Sequence, residues 1–251
     1  MELSLLSTVL VSSLFFFVAF LYSSVGHGGA SGYLAVMSLF AIAPKEMAST
    51  ALLLNILVAG IALIAYMRAG HYSLRLSLPF LITSIPLAFV GGMIPVGTKV
   101  YGALLAVALI AAAFRLMLRL EKTPELASDS EPKLIVALPA GGAIGFISGL
   151  VGVGGGIFLS PLMLLLRWAD VRKTAATSAF FIVANSIAGI VGRVSQGNFS
   201  ATTSIPFLIA ALFGGLLGAQ WGATKFSTLT LRRLLGVALA IAAAKLVFSI
   251  L

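Results

Sequence analysis

The chain lacks cysteine altogether and has very few charged residues. Of its 251 residues, 60% are hydrophobic, 9% are charged and only seven are acidic. The absence of cysteine excludes a disulfide-stabilised scaffold. Seven acids cannot solvate a globular surface of this size, because soluble domains carry about 25% charged residues. The composition therefore excludes soluble, disordered and collagen-like proteins and predicts a membrane protein.

Apolar residues occur in successive runs of about 20, the length of a helix that crosses a hydrocarbon core about 30 Å thick. The runs at 51–65 and 102–114 are apolar on every side, whereas a membrane β-barrel alternates apolar and polar residues. The net charge of +9 comes from basic residues that stand singly or in pairs between these runs. That pattern favours cytoplasmic loops over nucleic-acid binding. We predict an all-α polytopic membrane protein in a cell membrane, with the lipid bilayer as its environment.

Polar residues divide the chain into two sets of five apolar segments. We expect the first set at 4–25, 30–43, 47–67, 74–96 and 99–120, and the second at 134–151, 156–168, 174–195, 200–222 and 229–251. Between them lies a polar stretch, 121–133, that holds four of the seven acids. The predicted organisation is a first transmembrane repeat over 1–120, a cytoplasmic linker over 121–133 and a second transmembrane repeat over 134–251.

The two halves repeat each other in sequence. Gly-His-Gly-Gly-Ala at 26–30 aligns with Gly-Val-Gly-Gly-Gly at 152–156, and Ala-Ser-Thr-Ala at 48–51 aligns with Ala-Thr-Ser-Ala at 176–179. Two further matches, 70–73 with 197–200 and 79–80 with 206–207, follow in the same order at nearly the same offset. Four ordered matches indicate a duplication.

The segments at 30–43 and 156–168 each follow a glycine cluster. They are too short to span a membrane, because about 13 residues give about 20 Å of helix. We therefore expect, in each repeat, a helix that ends at the glycines, a half-helix that begins after them, and three further transmembrane helices.

The distribution of basic residues predicts the orientation of the repeats. If each glycine-broken pair returns to its side of entry, the repeats have inverted topology and twelve of the sixteen basic residues lie on one side. If each pair crosses once, the repeats are parallel and the basic residues divide eight to eight. The usual cytoplasmic excess favours inverted repeats, with both termini outside and the linker in the cytoplasm. The four basic residues then left on the outer side are Lys45, Lys99, Arg193 and Lys245.

Inverted repeats with interrupted helices are typical of secondary transporters. Glycines leave backbone amides uncovered where each half-helix begins, and the partial positive charge of that helix end favours an anion. Close helix packing is the alternative explanation for these glycines, but their duplication before both half-helices favours a binding site. The candidate residues are Gly26, His27, Gly28, Gly29, Ala30 and Ser31 in what we term the first tip, and Gly152, Gly154, Gly155 and Gly156 in the second tip.

The tip motifs also carry a family resemblance. Val-Gly-His-Gly-Gly at 25–29 and Gly-Leu-Val-Gly-Val-Gly-Gly-Gly at 149–156 resemble the TauE/SafE family of sulfite and organosulfur anion exporters. The resemblance covers essentially the whole chain. The second motif is the more specific, and the first departs from it at His27, Ala30 and Ser31. The resemblance implies transport of a small anion such as sulfite, a sulfonate or an organic acid.

Polar side chains in later segments are further candidates for lining the site. The hydroxyl pairs occupy matching positions in the two repeats, whereas the two asparagines do not align. Each of these side chains could donate a hydrogen bond to an anion or, alternatively, bond a backbone carbonyl or bridge helices. The candidates are Ser49, Thr50, Asn55, Thr177, Ser178 and Asn185.

Two basic side chains have particular positions. His27 lies inside the first tip, and because the predicted segments contain no aspartate or glutamate, it is the candidate for proton coupling. A structural histidine is the alternative. Arg193 lies near the outer end of its segment, where we expect it to snorkel to the headgroups. The alternative is that it guides anions at an outer vestibule. We expect neither a metal site nor a cofactor.

The expected function is secondary transport of a small anion by alternating access, which is not an enzymatic activity. An anion channel is the first alternative, since channels also place polar groups at the midplane. A rhomboid-like intramembrane serine protease is a less favoured one, because Gly-Ala-Ser-Gly at 29–32 resembles its nucleophile motif and would use Ser31. The repeat instead explains this motif as a variant tip. A homo-oligomer is left open.

Overall fold

The computed structural model describes residues 5–40, 42–117, 132–201 and 205–222. Within these ranges the chain forms nine α-helices and no β-strand. The helices are α1 (Leu5–Ser23), α2 (Ala30–Leu39), α3 (Pro44–Arg68), α4 (Leu74–Met93), α5 (Thr98–Met117), α6 (Leu134–Val151), α7 (Gly156–Leu165), α8 (Val171–Ser195) and α9 (Ile205–Gly222). The last predicted segment, 229–251, and the predicted linker as far as residue 131 lie outside the described residues.

Five of these helices, α1, α3, α4, α6 and α8, are long and apolar enough to cross a membrane. The two helices that follow the glycine clusters, α2 and α7, have only 10 residues each. At about 1.5 Å per residue, neither can span the bilayer. The prediction of an all-α polytopic membrane protein with glycine-broken helix pairs is confirmed.

The order of helix lengths recurs in the two halves. Helices α1 to α4 have 19, 10, 25 and 20 residues, and α6 to α9 have 18, 10, 25 and 18. The packing between the halves follows the same pattern. Helix α1, the first of the first half, packs on α9, the fourth of the second half, and α4 packs in the same way on α6. Small residues allow these pairs to approach closely, as where Gly149 faces the Ala88 carbonyl and Gly218 faces the Phe20 carbonyl. The halves therefore interleave in one helical bundle.

The two 25-residue helices, α3 and α8, lie side by side at the centre of this bundle. The start of α3 lies beside the end of α8, since Lys45 Nζ donates to the Gly197 carbonyl at 3.0 Å and the Ser200 amide donates to Ser49 Oγ at 3.3 Å. At the other end, the rings of Tyr72 and Phe180 are 5.5 Å apart. These helices, which occupy matching repeat positions, therefore run in opposite directions. The orientation of the repeats across the membrane stays a prediction.

The half-helix α2 lies inside the bundle, with eight of its ten residues buried. The ring of Phe15 from α1 packs 5.0 Å from Tyr33 of α2 and 5.2 Å from Phe207 of α9. Apolar side chains from both halves thus surround the half-helix. Because the half-helix is enclosed in this way, its first residues face the protein interior and not the lipid.

Candidate substrate site

Both helices that lead into the tips end at the glycine clusters, as expected. Helix α1 ends at Ser23 and α2 begins at Ala30, while α6 ends at Val151 and α7 begins at Gly156. The residues that cap the half-helices, Gly29 and Gly155, have φ angles of 94° and 80°. Side chains strain this left-handed conformation, so glycine is the residue that allows each half-helix to begin there.

The two tips converge on the side chain of Asn55. Its Oδ1 accepts a hydrogen bond from the Ala30 amide at 3.1 Å, and a Cβ built on Gly28 would overlap the same oxygen. On the other side of the carboxamide, a Cβ built on Gly154 would overlap Nδ2. Asn55 is the twelfth of the 25 residues of α3, so one carboxamide lies between the two tips near the middle of the bundle.

The Asn55 carboxamide has a hydrogen-bond donor without a partner. Asn55 is 1% exposed, and its Nδ2 has no hydrogen-bond partner among the described residues. A buried amide nitrogen without a partner costs stability that a ligand can restore. The nitrogen lies against the second tip, where a ligand bound to the half-helix would meet it.

Backbone amides at the tips are also uncovered. In the described part of the chain, the amides of Gly154, Gly155 and Gly156 donate to no protein acceptor, and neither do those of Gly28 and Gly29. Such amides carry the partial positive charge of a helix N-terminus. Together with Asn55 Nδ2, they place hydrogen-bond donors from both halves of the chain where the tips meet.

His27 links the first tip to the second half. Its Nδ1 lies 2.9 Å from the Val25 carbonyl, and its Nε2 lies 3.0 Å from Ser160 Oγ on α7. Ser160 Oγ in turn lies 2.7 Å from Ser178 Oγ on α8. Because a carbonyl only accepts, Nδ1 holds a proton even in the neutral ring, and Nε2 is the nitrogen that can gain one.

Two of the predicted site glycines make close helix contacts. A Cβ on Gly26 would lie 2.5 Å from Ala175 Cβ on α8, and a Cβ on Gly152 would lie 2.8 Å from Ala48 Cα on α3. Each tip therefore packs against the long helix of the opposite repeat. For Gly26 and Gly152 the structure shows the packing role that was the alternative explanation of the glycine clusters.

The remaining candidates are buried in α3 and α8. Ser49 bonds the Lys45 carbonyl and the Ser200 amide near the start of α3. No described residue bonds Thr177 Oγ1 or either polar atom of the Asn185 side chain. The structure brings Asn55, His27 and Ser178 to the tips. Thr50 is buried in α3, and no hydrogen bond within the described ranges joins Ser49, Thr177 or Asn185 to the tips.

The structure and the sequence differ over Arg193. Snorkelling would place its guanidinium among headgroups, but Arg193 is only 6% exposed and Nη2 donates to the carbonyls of Gly149 and Leu150 at 2.9 and 2.8 Å. These carbonyls belong to the last turn of α6, which lacks intrahelical donors and carries partial negative charge. Because these carbonyls accept hydrogen bonds from Arg193, the guanidinium lies inside the bundle and not among the headgroups. The snorkelling prediction is therefore wrong.

The serine of the protease hypothesis has no histidine base at hydrogen-bond distance among the described residues. Ser31 Oγ lies 2.7 Å from Tyr22 Oη, and the histidine of the same tip bonds Ser160 instead. A serine nucleophile needs a base within hydrogen-bond reach. Within the described ranges there is also no group of three histidine, aspartate or glutamate side chains that could hold a metal ion.

The fold and the site together define a multi-pass membrane protein with two interrupted helix pairs facing a buried polar site. Residues 11–246 match the family described as "Sulfite exporter TauE/SafE", and the chain belongs to this family. It is therefore a membrane transporter and not an enzyme, and the protease hypothesis is wrong.

Known relatives agree with this assignment. A probable membrane transporter protein of Sinorhizobium fredii is 35% identical over 236 residues, which cover 93% of this chain and 96% of the relative. A probable membrane transporter protein of Bacillus subtilis is 31% identical over 105 residues, 42% of this chain and 38% of the relative. The Sulfite exporter TauE/SafE family protein 6 of Arabidopsis thaliana is 35% identical over 70 residues, 26% of this chain and 16% of the relative. No solved structure matches the chain.

Proposed function

We propose that the chain is a secondary transporter of small anions of the sulfite, sulfonate or organic acid class, and that the anion binds between the two tips beside Asn55. The observation that carries this proposal is the Asn55 carboxamide, which bonds the first tip through Oδ1 and faces the second with an unpartnered Nδ2. The family name, which refers to sulfite, supports the substrate class.

The chemistry of the tips favours an anion over a cation. Backbone amides of both tips and Asn55 Nδ2 supply hydrogen-bond donors that have no partner among the described residues. No aspartate or glutamate is buried among the described residues, so nothing in this part of the interior offers a cation a full negative charge. Two half-helix N-termini add partial positive charge from both sides.

The burial of the tips favours a carrier over an open channel. Residues 26–30 and 151–157 are all buried, which supports a site that is closed on both sides in this conformation. An anion can then enter or leave only after the helices rearrange. Antiparallel packing of α3 and α8 supports inverted repeats, in which exchanging the conformations of the two halves opens the site to the opposite side.

We also propose that His27 couples proton binding to anion binding. In the neutral ring, Nε2 accepts a hydrogen bond from the Ser160 hydroxyl. A protonated Nε2 donates to Ser160 Oγ instead, and the Ser160 hydroxyl then turns to another acceptor, the Gly156 carbonyl at 3.0 Å. Protonation in the first tip thus changes the hydrogen bonds at the start of α7, where the second tip would hold the anion.

Counterflow in proteoliposomes tests the transport proposal. Vesicles loaded with unlabelled sulfite should accumulate labelled sulfite from outside, with saturation and with stimulation by the internal anion. The substrate class is then identified by comparing how strongly methanesulfonate, acetate and chloride compete with labelled sulfite. Single-channel currents, or uptake that neither saturates nor responds to internal anion, would overturn the carrier proposal.

A further inference from the structure

A small cavity of about 110 Å³ lies at the end of the bundle where α3 begins and α4 and α8 end. Its lining includes Lys45, Tyr101, Leu150, Arg193 and Asn198. This volume is sufficient for a small oxyanion group together with ordered water.

Arg193 gives the cavity a buried positive charge. One of its nitrogens caps α6, but Nε has no hydrogen-bond partner among the described residues. The structure also shows no described carboxylate at ion-pair distance from this guanidinium. A buried cation without a counter-charge is costly. An anion in the cavity would supply both the missing charge and the missing acceptor.

Lys45 adds a second positive charge at the mouth of the cavity. Its ammonium is exposed and donates to the Gly197 carbonyl at 3.0 Å. No aspartate or glutamate stands among the described residues that line the cavity. The lining therefore presents two cations and the Asn198 carboxamide, a combination that attracts anions and orients oxygen atoms.

The cavity adjoins the second tip. Arg193 holds the carbonyls of Gly149 and Leu150, and Tyr101 Oη donates to the Val151 carbonyl at 3.0 Å. Val151 is the last residue of α6 before the second tip. An anion held by Arg193 would thus be one short segment of backbone away from the uncovered amides of that tip.

We propose that this cavity is a second anion subsite, in which Arg193 and Lys45 hold the oxyanion group of the substrate before it passes to the tips. This inference rests on the proposed function, because it takes the substrate to be an anion. It places a binding step on the side of Lys45, which is predicted to be outside. Lys45 and Arg193 should therefore change the apparent affinity from one side of the membrane only.

The experiment compares Lys45→Gln with a matched control, Lys99→Gln. Lys99 is exposed near the start of α5, it is predicted on the same side, and it does not line the cavity. Sulfite uptake is measured in right-side-out and inside-out membrane vesicles. Lys45→Gln should raise the KM from the cavity side about threefold to fivefold, the range of an exposed ion pair, and leave the KM from the opposite side within error. Lys99→Gln should leave both constants within error.

Two arginine variants complete the test. Arg193→Gln keeps a donor for the α6 carbonyls but removes the charge, and it should raise the KM from the cavity side more than tenfold, the loss expected for a hydrogen bond to a charged group. Arg193→Lys should recover part of the affinity. A KM that rises equally from both sides, or that Lys45→Gln leaves unchanged, would overturn the subsite. If Asn55→Asp still abolishes transport in that case, the site between the tips stands without the subsite.

Discussion

Replacing Asn55 by aspartate tests the proposed site directly. The two side chains have nearly the same shape, so Asn55→Asp can still accept the hydrogen bond from the Ala30 amide. The change replaces the unpartnered Nδ2 donor, which faces Gly154, by a carboxylate oxygen. It therefore converts a group that attracts an anion into one that repels it, while the contact between α3 and the first tip is retained.

The expected effect is large because the site is buried. An anion that accepts a hydrogen bond at this position would lie about 4 Å from the new carboxylate. Two like charges at about 4 Å repel by about 4 kcal/mol at an effective permittivity of about 20. Since about 1.4 kcal/mol corresponds to a factor of ten, the affinity should fall about a thousandfold.

Asn55→Leu is the matched neutral variant. It removes a hydrogen bond to a charged ligand, worth about 1.5 to 3 kcal/mol, and adds no repulsion. It also leaves the buried Ala30 amide without its partner, so it should unfold at a lower temperature than the wild type. Sulfite counterflow should fall to background in Asn55→Asp and decrease less in Asn55→Leu, with both proteins monodisperse on size exclusion. Wild-type sulfite affinity in Asn55→Asp would refute the placement of the anion beside this residue.

Three further predictions concern the second tip, His27 and the membrane topology. Gly154→Ala should abolish transport because its Cβ overlaps Asn55 at a φ of 79°, whereas Gly60→Ala, whose Cβ meets open space in α3, should transport normally. Wild-type uptake should rise as the pH falls through the range in which histidine titrates, and His27→Gln should flatten this profile while some exchange remains; an unchanged profile would exclude His27 as the coupling group. Because the chain has no cysteine, a membrane-impermeant maleimide should label Lys99→Cys in intact cells but Ser128→Cys only after permeabilisation, and the reverse would refute the predicted topology.

Hydropathy located the helices better than their ends. The segment expected at 30–43 is helical only over Ala30–Leu39, and the one expected at 156–168 is helical only over Gly156–Leu165. Apolar residues continue past both helix ends, and hydropathy does not register where backbone hydrogen bonding stops. The helix expected from 47 begins at Pro44, because proline is favoured in the first turn and the polar Lys45 and Glu46 can be helical without being apolar.

The duplication predicted the scaffold of the site but only part of its chemistry. Repeat matching identified both tips, since the same glycine pattern recurs before both half-helices. It gave Asn55 little weight, because no asparagine stands at the matching position of α8, and it missed Ser160, whose counterpart in the first half is apolar. Hydrogen bonding between the halves brings these residues to the tips, and no spacing within one repeat reports such contacts. A serine in a half-helix one turn beyond a glycine tip was the available signal.

The differences between the halves have a mechanistic consequence. In a carrier with two identical inverted halves, exchanging their conformations produces an equivalent state facing the other side, and neither state is preferred. Here the halves are not identical: His27 belongs to the first tip and bonds Ser160 of the second half, while Arg193 caps the helix that leads into the second tip. Because these contacts have no equivalent after exchange, the two states of the proposed carrier should differ in free energy. In that mechanism, a proton on His27 and an anion between the tips would each change the difference, since a ligand shifts such an equilibrium only by its differential affinity for the two states. The duplicated glycines would then supply a path that opens to either side, and the unduplicated polar residues would determine which side is favoured.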